Sequence, residues 1–338
     1  VEGEATDSPA TAVPEAGSGP DRDQGEPVLT LTGLSREFTQ RARQVRAVHG
    51  VDLDLRSGEA LGIAGRSGCG KTTLARLMAG HLVPSAGRVV LGGTDLAAGT
   101  GAERRRRRRK VQMLFQDPGS SLDPRQTIGD AVHMVGGRGD PGRHLAAVGL
   151  APDRAERYPH QLSGGQRQRA ALARCLAVEP AVIVADEPTS ALDHAARTRL
   201  LELFAAVRRG HGTAQVIISH DLDVLASSCD RSAVKLDGHV VEVYPLSGGG
   251  PRHPYTRNLW ASSPSVLHRR SEPWGGLVDG ADDMERKGEG GCPYAGECML
   301  WKPLCSKELP PLVEVAAGHH LRCPEAEAEA SSQFIDTY

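Results

Sequence analysis

The chain has 338 residues, 39% of them hydrophobic, with 40 Lys and Arg set against 42 Asp and Glu for a formal net charge of -2. That length supports one large or two modest domains with a sizeable core, and the charge balance excludes a nucleic-acid binder held by bulk positive charge. No stretch approaches the roughly 18 apolar residues of a membrane-crossing helix, so any membrane role has to come through partner subunits.

Residues 1–27 carry seven acidic groups and one cation, Arg22, among Pro, Gly, Ser and Ala. This composition predicts a disordered leader. It has neither the basic start nor the apolar core of a secretory signal, which predicts a cytosolic chain with reduced thiols. From Val28 to about Val243, short apolar runs alternate with longer amphipathic stretches. Strands are expected at 60–64, 111–115, 181–185 and 215–218. Unbroken apolar runs of this kind suit a parallel sheet covered on both faces, so the fold class is α/β.

The first strand feeds Gly65-Arg66-Ser67-Gly68-Cys69-Gly70-Lys71-Thr72, and a helix is expected from about Lys71. This is the strand, loop and helix context of a phosphate-binding loop. Gly65, Ser67, Gly68, Cys69 and Gly70 supply the cradle, and the helix N-terminus, opening through Lys71, Thr72 and Thr73, adds its favourable field for phosphate. Lys71 is expected on the β- and γ-phosphates of ATP and Thr72 on Mg²⁺.

Arg104 to Lys110 is an unbroken run of seven cations, read as a solvated surface helix or loop, with lipid or nucleic-acid contact as the alternatives. Gln116 ends the strand at 111–115, where its amide can either ligate Mg²⁺ or serve as a polar strand cap. Between 117 and 176 the strand signal gives way to helical segments at 127–135 and 142–148, read as an inserted helical lobe. Ser163, in Leu162-Ser163-Gly164-Gly165-Gln166, can cap a helix over 165–177. With Gly164, Gly165 and Gln166 it makes a second anion site, which suggests a head-to-tail partner whose ATP it closes over.

Asp186 ends an apolar strand and suits a carboxylate fixed near Mg²⁺, and adjacent Glu187 is placed to polarise the attacking water. His220 lies at the carboxyl end of its strand, where ligands bind in open α/β sheets. It is expected on the γ-phosphate, against the alternative of a structural histidine.

Together these residues resemble the ATP-binding-cassette family over about 28–243, which implies a P-loop NTPase fold with an inserted helical subdomain. The resemblance makes Leu162 to Gln166 the signature motif, Gln116 the Q-loop and Ser190 to Asp193 the D-loop. It also makes His220 the switch histidine and Phe38 an adenine-stacking aromatic. It implies ATP hydrolysis with Mg²⁺ by two ATPase subunits, a homodimer or a pair with a related chain. It further implies two transmembrane permease subunits and an extracytoplasmic substrate-binding protein, at the cytoplasmic face of the membrane and without nucleic acid.

Phe115-Gln116-Asp117-Pro118, Ser120 to Arg125, Tyr158 to Gln161 and His253 to Thr256 are similar to the oligopeptide, dipeptide and nickel importers of that family. Peptides are therefore the expected cargo, with nickel or a metal chelate as the alternative. A soluble family member acting on DNA or ribosomes is disfavoured, because only about 90 residues separate phosphate loop from signature. An ATP-binding regulator without turnover is disfavoured by Glu187 and His220.

A Ser/Gly run at 247–250 marks a linker to a C-terminal domain at 251–325, followed by a tail at 326–338. Cys292, Cys298, Cys305 and Cys323 lie in that domain with spacing C-x5-C-x6-C-x17-C. Zinc sites usually begin with tighter knuckles, and disulfides do not suit a cytosolic setting. Four thiolates can also hold an iron–sulfur cluster, and the importer resemblance implies a 4Fe-4S cluster on these four cysteines. His319 and His320 are substitute ligands or solvated histidines.

Overall fold

The computed structural model describes residues 26–40, 43–117, 121–136, 139–190, 192–248, 250–263 and 290–323. The expected leader up to residue 25, the tail, Ala191 and residues 118–120 lie outside the described residues.

In chain order the elements are β1 (Pro27–Gln40), β2 (Arg43–Arg56), β3 (Ala60–Ala64), α1 (Lys71–Met78), β4 (Ala86–Leu91), β5 (Thr94–Asp95), α2 (Gly101–Arg108) and β6 (Val111–Leu114). They continue with α3 (Ile128–Gly136), α4 (Pro141–Ala147), α5 (Gly164–Leu176), β7 (Val182–Asp186), α6 (His194–His211), β8 (Ala214–Ile218) and α7 (Leu222–Ser228). The last are β9 (Arg231–Leu236), β10 (His239–Pro245), α8 (Pro254–Ala261), β11 (Val313–Ala316) and β12 (His319–Leu321).

Two sheets organise these elements. A four-stranded antiparallel sheet runs β2-β1-β4-β5, and an eight-stranded sheet runs β11-β12-β10-β9-β3-β8-β7-β6. The centre of the larger sheet is parallel, β9, β3, β8, β7 and β6. Every residue of β3, β7 and β8 is buried, as expected for strands covered on both faces. One core joins α1 through Leu74, Leu77 and Met78 to the smaller sheet, and a second joins α5 and α6 to the helical lobe. Helices α3, α4 and α5 fall within the stretch expected to be helical.

The basic run is built into the surface. A capping box between Thr100 and Glu103 starts α2. Arg104, Arg107, Arg109 and Lys110 then donate to the carbonyls of Gly99, Asp95, Val135 and Glu179. These cations fasten neighbouring backbone at the surface of the fold.

The C-terminal segment adds strands to the large sheet. β12 pairs with β10 and carries β11 on its outer side. The join is sealed by a buried pair, His319 Nε2 to Glu242 Oε1 at 2.8 Å, and the Arg252 N–H donates to the same oxygen at 2.6 Å. A carboxylate with no solvent exposure is tolerable only when partnered in this way.

Desolvation holds the imidazoles of His239 and His253 down to about 4, well below the ordinary 6.5. Between those values the unfolded chain takes up protons that the folded chain refuses, so this stability is present above about 6.5 and lost as pH falls towards 4. His253 also caps α8, its Nδ1 accepting from the Tyr255 N–H. His253→Asn keeps a capping side chain and removes the titration. Its melting temperature, followed by calorimetry from pH 7 to 4, should fall less steeply than that of the parent.

Candidate functional site

The phosphate loop is shaped by what its glycines approach. A Cβ on Gly65 would lie 2.3 Å from the Lys235 carbonyl, and one on Gly70 would lie 2.0 Å from the Ala47 carbonyl. Both residues have positive φ, 148° and 92°, so side chains are excluded by both space and conformation. Gly70 is also the N-cap of α1 and offers no side-chain acceptor. The first helical amides therefore carry no side-chain cap, the state a phosphate acceptor requires. Lys71 is buried, and its Nζ donates to the carbonyls of Gly65 at 2.7 Å and Arg66 at 3.0 Å. Ser67 and Gly68 are exposed at the crown of the loop, Thr72 is exposed and Thr73 is partly buried. Cys69 is buried beneath the loop, and desolvation pushes its thiol above the ordinary range, which keeps it an inert packing group.

Asp186, at the end of β7, is 4% exposed. Desolvation raises its pKa, opposed by a hydrogen bond from Thr72. A hydroxyl and a buried carboxylate so joined are a hard oxygen pair that fits Mg²⁺, and a cation there would relieve the cost of burying the charge. Thr72 and Asp186 are the residues that would hold the ion, with Gln116 at the rim.

Glu187 follows in the left-handed region, φ 48°, a conformation costing a non-glycine residue roughly 1–2 kcal/mol. It is held there because its N–H donates to the Ile218 carbonyl at 2.9 Å and its carbonyl accepts from Ser190 Oγ at 3.1 Å. The distorted turn swings the carboxylate between two other expected residues. Gln116 Nε2 donates to Oε2 at 3.2 Å, and His220 Nδ1 lies 3.3 Å from Oε1. Three residues from the carboxyl ends of β6, β7 and β8 thus meet in one cluster. The Glu187 side chain is only 20% exposed while His220 is 64% exposed, so the base is sheltered and the imidazole faces outward. Such a carboxylate can orient and deprotonate a water.

The signature segment faces solvent. Ser163 caps α5 by accepting from the Gln166 N–H at 3.3 Å, and Gln166 Oε1 accepts from the Ser163 N–H at 3.0 Å. Leu162 is buried, whereas Ser163 and Gly164 are exposed and Gly165 is partly so. The Asp193 carboxylate accepts from the Ala196 N–H at 2.8 Å and caps α6. Phe38 is partly buried on β1, with the Arg36 guanidinium 4.9 Å from its ring centroid. One face of that ring is already taken, so a base would have to stack on the other or displace Arg36.

Two further residues stand out in the fold. Lys235 is fully buried, and its Nζ donates to the carbonyls of Ala47 at 2.6 Å and Cys69, tying the loop to β2. Desolvation pulls its pKa down to about 8. Gln168, also buried, donates to the Pro188 carbonyl at 2.6 Å and links α5 to the Glu187 turn. A lone lysine inside the apolar run Ala233-Val234-Lys235-Leu236 was the available signal for the first. Nothing in the local sequence marked the second.

The four C-terminal cysteines are neighbours. Cys298 is pushed up to about 12, chiefly by desolvation, and feels Cys323, Cys292 and Cys305 as well. The Cys292 N–H donates to the Cys305 carbonyl at 2.7 Å. Among the described residues, however, no group of three or more His, Cys, Asp or Glu is arranged to hold a metal ion.

Residues 48–190 match the family model described as ABC transporter. The chain is 39% identical to a probable peptide ABC transporter ATP-binding protein of Sinorhizobium fredii, covering 88% of this chain and 89% of that protein. It is 37% identical to the di/tripeptide transport ATP-binding protein DppF of Pseudomonas aeruginosa, covering 89% and 98%. Among solved structures it is similar to the ATP-binding cassette MJ0796 in a dimeric post-hydrolysis state bound to ADP and Pi. That similarity has a TM-score of 0.60 and 28% identity, over 65% of this chain and all of that one.

Because His220 meets the Glu187 carboxylate, His220→Ala should weigh on turnover more than on binding. In steady-state ATP assays kcat should fall by about 100-fold or more while KM stays within a few-fold of the parent.

Proposed function

The chain belongs to the ATP-binding-cassette transporter family, and from that membership we propose that it is the ATP-hydrolysing subunit of an importer for short peptides. The observation that carries the catalytic part of this reading is the meeting of Gln116, Glu187 and His220 around one sheltered carboxylate beside the phosphate loop. The peptide cargo rests on the names of the relatives.

In the resulting mechanism the loop amides from Gly68 to Thr72 receive the β- and γ-phosphates. Lys71 exchanges the Gly65 and Arg66 carbonyls for phosphate oxygens, so its charge moves from backbone dipoles to developing anionic charge. Thr72, Asp186 and Gln116 would hold Mg²⁺, which when bound neutralises phosphate charge. Glu187 takes a proton from the water that attacks the γ-phosphorus in line as the bond to the β–γ bridging oxygen breaks and ADP leaves, and His220 fixes that water and the phosphate. Ser163 to Gln166, exposed on their own subunit, close over the nucleotide of a second ATPase subunit. Asp193 stands at the start of α6, on the same approach.

No described helix is long and apolar enough to cross a membrane. By its likeness to the peptide importers the chain acts through permease subunits, as a peripheral protein on the cytoplasmic face, and an external binding protein would deliver the cargo.

The four C-terminal cysteines are proposed to hold an iron–sulfur cluster, supported by their number and mutual proximity. The thiols would have to turn towards one another and ionise to do so. A cluster there would cross-link the segment as a covalent staple.

Three outcomes check the scheme. Glu187→Gln should abolish steady-state hydrolysis while an ATP-bound dimer accumulates in size-exclusion chromatography; normal turnover in that variant overturns the assigned base. Solubilised membranes should yield the protein together with two permease chains. Protein purified without oxygen should be brown and contain iron, and colourless, iron-free protein removes the cluster from the scheme.

A further inference from the structure

We propose that Tyr255 and Glu297 of the C-terminal segment are positioning residues for the phosphate loop, acting through Arg66, so that this segment forms a working part of the ATP site. The inference rests on the reading of the loop as an ATP site and extends it to residues far outside the cassette motifs.

Arg66 is the second residue of the loop and is held through both backbone and side chain: its N–H donates to the Tyr255 hydroxyl at 2.9 Å, and its guanidinium donates through both terminal nitrogens to the two Glu297 oxygens at 2.9 and 2.7 Å. The same guanidinium lies 5.6 Å from the centroid of the Tyr255 ring. Its carbonyl accepts from Lys71 Nζ at 3.0 Å. One residue is therefore shared between the C-terminal segment and the lysine expected to meet phosphate.

The gripping groups are themselves fixed. Tyr255 is 1% exposed on α8, and desolvation pushes its phenol up to about 12, so the hydroxyl stays protonated. Its ring packs against Tyr294 at 5.4 Å between centroids, and Tyr294 in turn accepts from Asn258 at 3.0 Å. Glu297 closes a short 3-10 turn, its N–H donating to the Tyr294 carbonyl at 3.1 Å, between buried Ala295 and buried Cys298. The acceptor fork thus stands on a packed base, and a two-pronged Arg–carboxylate pair fixes angle as well as distance.

The side chains of Arg66 and Glu297 are 50% and 43% exposed, and a pair so exposed adds little to global stability. Its effect falls on the loop, where holding Arg66 in place lowers the ordering cost of receiving phosphate. Loss of the pair should therefore weaken ATP binding without unfolding the chain.

The test is a double-mutant cycle on the full-length protein with Mg²⁺ and ATP. Arg66→Ala and Glu297→Ala should each raise the ATP Kd, by calorimetry, and the KM about 3- to 10-fold, with kcat within about twofold. The double variant should be no worse than either single, because one interaction is being removed. Exchanging the charges, Arg66→Glu with Glu297→Arg, should restore part of the loss. Tyr255→Phe should act in the same direction, and Glu297→Gln covers the case in which that buried change fails to fold. Nucleotide-free melting temperatures should stay within about 2 °C for the exposed pair. Unchanged ATP affinity in Glu297→Ala, or fully additive losses in the double variant, overturns the proposal while leaving the ATP site intact. Failure of the unaltered protein to bind ATP overturns the reading beneath it.

Discussion

A phosphate-binding loop must leave its amides free of side-chain caps, and most of the site is arranged around that constraint. Gly70 starts α1 without a capping side chain, and Gly65 and Gly70 approach backbone carbonyls too closely to carry one. The loop is instead held mainly through its carbonyls, with one amide, that of Arg66, given to a side chain from outside. Lys235 ties the Cys69 carbonyl to β2, Lys71 spans the Gly65 and Arg66 carbonyls, and Tyr255 takes the Arg66 amide. Carbonyls do the anchoring while most of the donors stay available for an anion.

The second arrangement follows from sheet topology. Parallel strands deliver their carboxyl ends to one edge, so Gln116, Glu187 and His220, separated by up to about a hundred residues, share a carboxylate. The helical lobe is joined to that edge at the Gln116 end and again through Gln168, whose amide reaches the Pro188 carbonyl. Movement of α5 is therefore mechanically connected to the turn that aims Glu187.

Much of this was legible in the sequence. The strands at 60–64, 111–115, 181–185 and 215–218 appear within a residue of their expected bounds, because unbroken apolar runs have few alternatives in an α/β chain. The helix after Ser163 was equally readable from its cap. What local pattern could not supply was long-range pairing. The tie from Glu297 to Arg66 spans 231 residues, and neither residue belongs to a motif that calls for the other. The continuation of the large sheet by β12 was hidden for the same reason. Three residues, His319 to Leu321, carry too little periodicity to announce a strand, and they become one only because β10 offers an unpaired edge.

That edge gives the C-terminal segment a role in the solubility of the whole chain. Were the chain to end after β10, a seven-residue strand with a nearly continuous run of apolar residues would stand open at the border of the sheet, and Glu242 would lose His319. An open, apolar border of that kind recruits strands from other molecules. In the intact chain the border is carried instead by β11, four residues long and mostly exposed, too short and too well hydrated to serve as a template. The segment that reads in sequence as an appendage is thus also the selvage of the fold, finishing the sheet so that it does not ravel into its neighbours.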